Sequence, residues 1–172
     1  MKKLSLIAAA LVLASSGASA ASVSDSFDVS VTLTSACSVT TAAADIAMTY
    51  TAFALVASTG SANTTFSCTR GLTPTFQFDT AAAGATSSAA DGTVGNTITS
   101  EGVLKGLLYT LSATVPTKSA GTAASAGAGG TGGSIGTADT YSLTINAAIP
   151  AGQAGSGASG AANQARTLII TY

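Results

Sequence analysis

The sequence contains no histidine and no tryptophan, and only 8% of its residues are charged. Without histidine the chain lacks the side chain that most often acts as a general base near neutral pH, and it lacks a common nitrogen ligand for metals. Alanine, glycine, serine and threonine fill much of the chain instead. These absences predict a protein that is not an enzyme, with no catalytic residues, no metal site and no cofactor.

Basic side chains are scarce beyond residue 20 and are outnumbered by acidic ones. The basic residues there are Arg70, Lys105, Lys118 and Arg166, and the acidic residues are Asp25, Asp28, Asp45, Asp79, Asp91, Glu101 and Asp139. A weakly acidic surface cannot neutralise a phosphate backbone, so we expect no nucleic-acid partner.

Residues 1–20 have the order of a secretory signal. Lys2 and Lys3 precede an apolar run over residues 4–14, and the small-residue site Ala18-Ser19-Ala20 follows. The run is too short to span a bilayer, and no later stretch of the sequence is long and apolar enough for a transmembrane helix. We therefore expect an exported mature chain beginning at Ala21, of about 150 residues, the size of one domain.

Cys37 and Cys68 are the two cysteines of the chain. In an exported protein they are expected to form a disulfide, since disulfides persist in oxidising compartments. A redox or metal site would want a Cys-x-x-Cys spacing or further ligands, and the sequence has neither. Closing a loop of roughly thirty residues stabilises a fold by about 3 to 4 kcal/mol in the chain-entropy model.

Alternation of apolar and polar residues is the main pattern and predicts an all-β fold. It is clearest at the start of the mature chain, where one face carries Asp25 and an apolar ridge made of Val23, Phe27, Val29, Val31 and Leu33. This pattern predicts a long, half-buried strand. Further strands are predicted over Cys37–Thr41, Ala47–Ala54, Thr64–Thr69, Thr75–Phe78, Leu104–Ala113, Tyr141–Ile149 and Thr167–Tyr172.

Two tracts, 81–96 and 118–137, contain few bulky side chains and are predicted to be mobile surface loops. The second contains two strings that resemble enzyme motifs. Residues 127–132 match a dinucleotide-binding glycine pattern, but no apolar parallel strand precedes them. Residues 132–136 match the spacing of a nucleophile elbow, but the chain has no histidine to accept a proton from Ser134. Both matches are interpreted as chance.

Four stretches together resemble the spore coat U domain family, which includes the pilins of archaic chaperone-usher systems. They are residues 29–39, around Cys37; Phe66–Gly71, around Cys68; the turn Ile149-Pro150-Ala151-Gly152-Gln153; and the terminal strand Thr167–Tyr172. Residues 162–166 depart from the family pattern, in which a Tyr and an Asp commonly precede the final strand.

The resemblance implies an incomplete immunoglobulin-like β-sandwich over residues 34–172. One strand is missing, and the resulting groove is filled first by a periplasmic chaperone and then by the N-terminal extension of the next subunit. Residues 21–33 would be that donor extension, with the apolar ridge in the neighbour's groove. Leu168, Ile170 and Tyr172 of the terminal strand would edge the groove. The alternative is that residues 21–33 form an ordinary strand within their own domain.

The implied function is that of a structural subunit of a surface pilus, supporting adhesion and biofilm formation. Its partners would be identical or related pilin subunits, the chaperone and an outer-membrane usher. Two rival interpretations stay open on the sequence: an outer-membrane β-barrel, which the scarcity of aromatic residues disfavours, and a secreted or spore-coat protein that does not polymerise.

Overall fold

The computed structural model describes residues 23–79, 97–114, 118–157 and 159–172. The predicted signal, residues 1–20, and the predicted loop over residues 81–96 lie outside this range. The chain divides into two compact units, with the boundary between Leu33 and Thr34. The fold is all-β, as predicted, and the described part of the chain contains eight strands: β1 Cys37–Thr41, β2 Ser58–Cys68, β3 Thr75–Phe78, β4 Thr97–Leu104, β5 Leu107–Thr114, β6 Lys118–Ser119, β7 Asp139–Ile149 and β8 Leu168–Thr171.

The strands form two antiparallel sheets. In the larger sheet the order is β1-β2-β7-β5-β4, and β6 pairs with the first part of β7. Strand β2 pairs with β7 along its whole length, from Ser58 opposite Ile149 to Cys68 opposite Asp139. The smaller sheet consists of β3 and β8, with Phe78 opposite Leu168.

The two sheets enclose one apolar core. The ring of Phe66 in the larger sheet lies 5.2 Å from that of Phe76 in the smaller sheet, and it stacks on Tyr141 at 5.0 Å. Alternate residues of each strand point inward, which is why the polar residues between them lie on the outer surface. The other buried apolar residues of this core are Cys68, Phe78, Ile98, Tyr109, Leu111, Ala113, Leu143, Ile145, Ala147 and Ile149.

The sandwich has two distinct ends, a disulfide end and a hairpin end. At the disulfide end, Cys37 lies opposite Cys68 in the β1–β2 pair, and β7 begins. At the hairpin end, β4 turns into β5 through Lys105 and Gly106, and β7 finishes beside the start of β2. Strand β1 therefore begins, and β2 ends, at the disulfide end.

Some predicted strands are confirmed and others are corrected. Strands β1 and β3 have the predicted bounds, whereas β2 begins six residues before the predicted start at Thr64. The predicted strand over Leu104–Ala113 is wrong, because a turn at Lys105 and Gly106 divides this stretch between β4 and β5. Both turn residues have positive φ, 53° and 68°, as a two-residue type I′ turn requires.

The predicted strand over Ala47–Ala54 is absent from the described structure, although its alternation is real. Ile46, Met48 and Tyr50 are partly buried and pack against the core, while the residues between them are exposed. The backbone here is not assigned to any strand. The side-chain pattern of a strand therefore occurs without a partner strand to complete the ladder.

Residues 23–33 belong to no strand in this single chain, so the strand predicted there has no partner among the described residues. All five ridge residues are exposed, from 75% for Leu33 to 97% for Val23. Residues 118–137 contain β6, a bridge between Ser125 and Ser134 and a short 3-10 turn. Among the described residues, no helix has the length and apolar character needed to cross a bilayer.

Candidate functional site

An open groove runs between two extended stretches of backbone on the side of the sandwich. One wall is formed by residues 43–48 and the other by residues 162–168. The groove has a volume of about 700 Å³, and its floor consists of core side chains from both sheets: Ala62, Phe78, Leu104, Tyr109, Leu111, Ile145 and Ala147. An apolar floor of this kind favours an apolar occupant.

The two walls lack the strand partner that would close the sandwich. Residues 43–48 belong to no strand, and β8 pairs only with β3 among the described residues. Unpaired strand edges are templates for pairing with another extended segment. The groove therefore combines an apolar floor with an unpaired edge, which are the two features that a docking strand needs.

Arg166 anchors the second wall to the body of the domain. Its guanidinium forms an ion pair with Asp79 at 2.8 Å, and it donates hydrogen bonds to Ser100 Oγ at 2.6 Å and to the Tyr109 hydroxyl at 2.9 Å. Burial by itself would lower the pKa of Arg166, but the hydrogen bonds to Tyr109 and Asp79 outweigh it and hold that pKa above its ordinary value. The Arg166 guanidinium is thus bound by partners within the domain.

Tyr109 links this anchor to the rest of the wall. Its hydroxyl donates to Gln164 Oε1 and accepts from Arg166, whose guanidinium carbon lies 5.8 Å from the centre of the Tyr109 ring. The backbone of Thr167 adds hydrogen bonds in both directions with Asp79. Residues 164–167 are therefore held in position by side chains, since no strand ladder holds them.

Sequence reasoning missed this polar network. Residues 162–166 stood out only as a departure from a family pattern, and nothing in the spacing connected them with Tyr109 or Asp79. The available signal was an isolated arginine directly before the apolar terminal strand, in a chain with very few cations. A buried cation requires partners, so this signal predicts a nearby carboxylate but cannot say which one.

The predicted disulfide is present. The Cys37 and Cys68 sulfurs are 2.01 Å apart, the two residues are opposite each other in the β1–β2 pair, and Cys68 is buried. Backbone hydrogen bonds continue next to it, where Thr69 N–H donates to Ala36 O at 2.8 Å. The bridge therefore fixes the point at which the N-terminal segment enters the domain.

The three predicted residues of the terminal strand have different environments. Leu168 lines the groove, and both Leu168 and Ile170 pack against the core. Tyr172 lies beyond the end of β8 and is 58% exposed. The structure thus brings Leu168 to the groove, keeps Ile170 in the core and leaves Tyr172 on the surface.

Within the described ranges, no group of three or more Asp, Glu, Cys or His side chains is arranged to hold a metal ion.

No protein-family model, no curated protein and no solved structure matches the chain. The groove and the exposed segment before residue 34 are thus the features that point to a function.

Proposed function

We propose that this chain is a structural subunit that polymerises by inserting residues 21–33 of one copy into the groove of the next. The single observation that carries the proposal is the open apolar groove between residues 43–48 and 162–168, with an unpaired edge at β8. In the terms of the family that the sequence resembles, the chain is a pilin of a surface fibre assembled by the chaperone-usher route.

The apolar ridge has the chemistry that the groove requires. Its side chains are spaced two residues apart from Phe27 to Leu33, so an extended backbone would point them all to one face. They are exposed in the structure. Burying each such side chain contributes about 1.5 to 3 kcal/mol, and main-chain hydrogen bonds to the groove edge add to this.

A strand in the groove would also explain why side chains over residues 46–50 alternate between core and surface although no strand pairs with this backbone. Ile46 and Met48 already face the core from one wall, and an inserted strand beside them would complete the layer of inward-facing side chains. Before polymerisation the same surface would need temporary cover, because exposed strand edges and apolar grooves promote aggregation. A chaperone that supplies an extended segment would meet this need during export.

The proposal is tested by placing a charge on each face of the N-terminal segment. Val31→Asp puts a carboxylate on the apolar ridge, and we expect it to abolish filaments because a charge would be buried in the groove. Thr32→Asp puts the same charge on the opposite face of the extended segment and should leave filament formation intact. Electron microscopy and size-exclusion chromatography of the oxidised, exported chain report the result.

Two outcomes would contradict the proposal. One is an oxidised wild-type chain that remains monomeric at all concentrations. The other is an equal effect of the two substitutions, since only the ridge face is proposed to enter the groove.

A further inference from the structure

A rigid apolar loop lies at the hairpin end of the groove and has no role in the proposed strand insertion. It consists of residues 51–57, which we call the tip loop, and it joins the first groove wall to β2. Its large side chains are almost fully exposed: Phe53 is 69%, Leu55 94% and Val56 77% exposed. The sequence from Ile46 to Thr69 contains no charged residue. Exposed apolar clusters of this kind mark interaction sites.

Hydrogen bonds hold the tip loop in a strained backbone conformation. Phe53 has φ of 61°, in the left-handed region that a bulky residue rarely occupies. Phe53 N–H donates to Gln153 O and Gly152 N–H donates to Ala54 O, both at 2.8 Å. Two hydrogen bonds to the neighbouring turn thus keep the apolar side chains outward.

Gln153 fixes the position of this loop relative to the groove. Its side chain donates to Leu108 O at 2.9 Å and accepts from Leu108 N–H at 2.7 Å, and its backbone N–H donates to the Tyr50 hydroxyl at 2.9 Å. The tip loop therefore lies beside the start of β5, at the end of the groove where Leu104 forms part of the floor.

The direction of an inserted strand decides which end of the groove faces the donating copy. The second wall runs from the hairpin end, where Ser156 N–H donates to Lys105 O, toward β8. Every strand pair in the described structure is antiparallel, and antiparallel pairing is the more stable kind. Residues 43–48 belong to no strand, whereas the second wall leads into β8, so we take the β8 edge as the one that pairs. A donor strand antiparallel to β8 would then finish, at Leu33, beside the tip loop.

The body of the donating copy begins directly after Leu33, at its own disulfide end. That end also carries the 118–137 segment, which is attached there by hydrogen bonds from Gly121 N–H to Asp139 and from Arg70 to Gly121 O. Ile135 in this segment is 87% exposed. The segment attached at the disulfide end thus exposes an apolar side chain.

We propose that the tip loop packs against the 118–137 segment of the donating copy, forming a second contact between neighbouring subunits that restricts bending at each joint. This inference rests on the proposed function. The contact is heterologous: the tip loop of one copy meets the disulfide end of the next, so it repeats along the fibre without closing into a ring.

Cross-linking tests the contact directly in filaments. The native cysteines are paired and leave no free cysteine among the described residues, so Leu55→Cys with Ile135→Cys gives two reactive thiols. A short bis-maleimide should join neighbouring subunits into covalent dimers and higher multiples. The control, Leu55→Cys with Ser142→Cys on the outer face of β7, should give no such products.

Substitution to serine tests the consequence. The double variant L55S/V56S, and separately Ile135→Ser, should form filaments in normal yield but with a shorter persistence length in electron micrographs. Wild-type chains that form no filaments would overturn both proposals, whereas filaments that lack the cross-link and keep their stiffness in L55S/V56S would overturn this contact alone. A loss of adsorption to phosphatidylcholine vesicles in L55S/V56S, with stiffness unchanged, would assign the tip loop to a lipid surface instead.

Discussion

Asp139 is a buried carboxylate that connects three segments at the disulfide end. It is 1% exposed and accepts hydrogen bonds from Gly71 N–H at 2.9 Å and Gly121 N–H at 2.7 Å, while Lys118 Nζ lies 3.3 Å away. The two amide donors, aided by Lys118, hold the pKa of Asp139 below its ordinary value against the opposing effect of burial. Ionised Asp139 therefore stabilises the segment that carries Ile135.

We predict that Asp139→Asn lowers the free energy of unfolding at pH 7 by about 1 to 3 kcal/mol, because one of two charge-assisted acceptors is lost. A group with a lowered folded pKa adds stability above its unfolded pKa, about 3.9, and that stability is lost as the pH falls through the folded value. Urea unfolding should thus separate wild type from variant at pH 7 and bring them together as the pH falls below the folded pKa of Asp139. Asp45→Asn, at an exposed residue, is the control, and a difference that persisted at low pH would contradict the explanation.

The β4–β5 hairpin shapes the second groove wall through one glycine. Gly102 lies opposite Tyr109, and a Cβ at this position would come within 2.7 Å of Tyr109 Cε1. The aromatic ring therefore lies across the glycine, a close approach that only a residue without a side chain permits. From that position the Tyr109 hydroxyl reaches Arg166 and Gln164.

We predict that Gly102→Ala displaces the Tyr109 ring and destabilises the domain by about 1 to 3 kcal/mol, the usual cost of overpacking. The effect should disappear in a Tyr109→Ala background, where the new methyl group meets no ring. Chemical unfolding of the two single variants and the double variant gives this cycle. If Gly102→Ala cost as much without the ring as with it, its effect would come from the strand backbone and not from the groove wall.

At the scale of elements, alternation over residues 46–50 predicted which side chains face the core but not whether the backbone pairs with a strand. The bounds of β3 were predicted correctly because alternation at Phe76 and Phe78 lies between Pro74 and Asp79. The turn at Lys105 and Gly106 was missed because a lysine at positive φ has no clear signature beside a run of apolar residues. Residues 46–50 show the pattern of a strand because they face the core, but a sequence pattern does not reveal whether a partner strand is present.

For the whole molecule, the sequence predicted an all-β domain and its disulfide, while the groove walls came from the structure. The network of Arg166, Asp79 and Tyr109 joins residues up to 87 positions apart, so local patterns do not identify the partners of Arg166. The polymer itself stays a proposal that follows from the groove and the ridge. It has a mechanical consequence, because tension along such a fibre would pass through every domain.

In a stretched filament, tension would enter each domain at Thr34, just before β1. Strand β1 has five residues, pairs with no described strand except β2, and is exposed apart from Cys37. Pulled from its first residue, such a short edge strand would peel from β2 unless something else carried the load. The disulfide does so, since it joins the first residue of β1 to the last residue of β2.

We therefore predict that C37S/C68S filaments extend at lower force than oxidised wild-type filaments in single-molecule stretching. Without the bridge, the segment between the two cysteines, which are 31 positions apart, becomes free to extend. At roughly 3.3 to 3.6 Å per residue, this adds about 100 Å of contour length to each unfolding event. A reducing agent should produce the same change in wild type and none in C37S/C68S, which controls for effects of the reagent elsewhere. Equal forces and equal extensions for oxidised wild type and C37S/C68S would mean that tension bypasses β1, and would place the entry of the load at a site other than the base of the N-terminal segment.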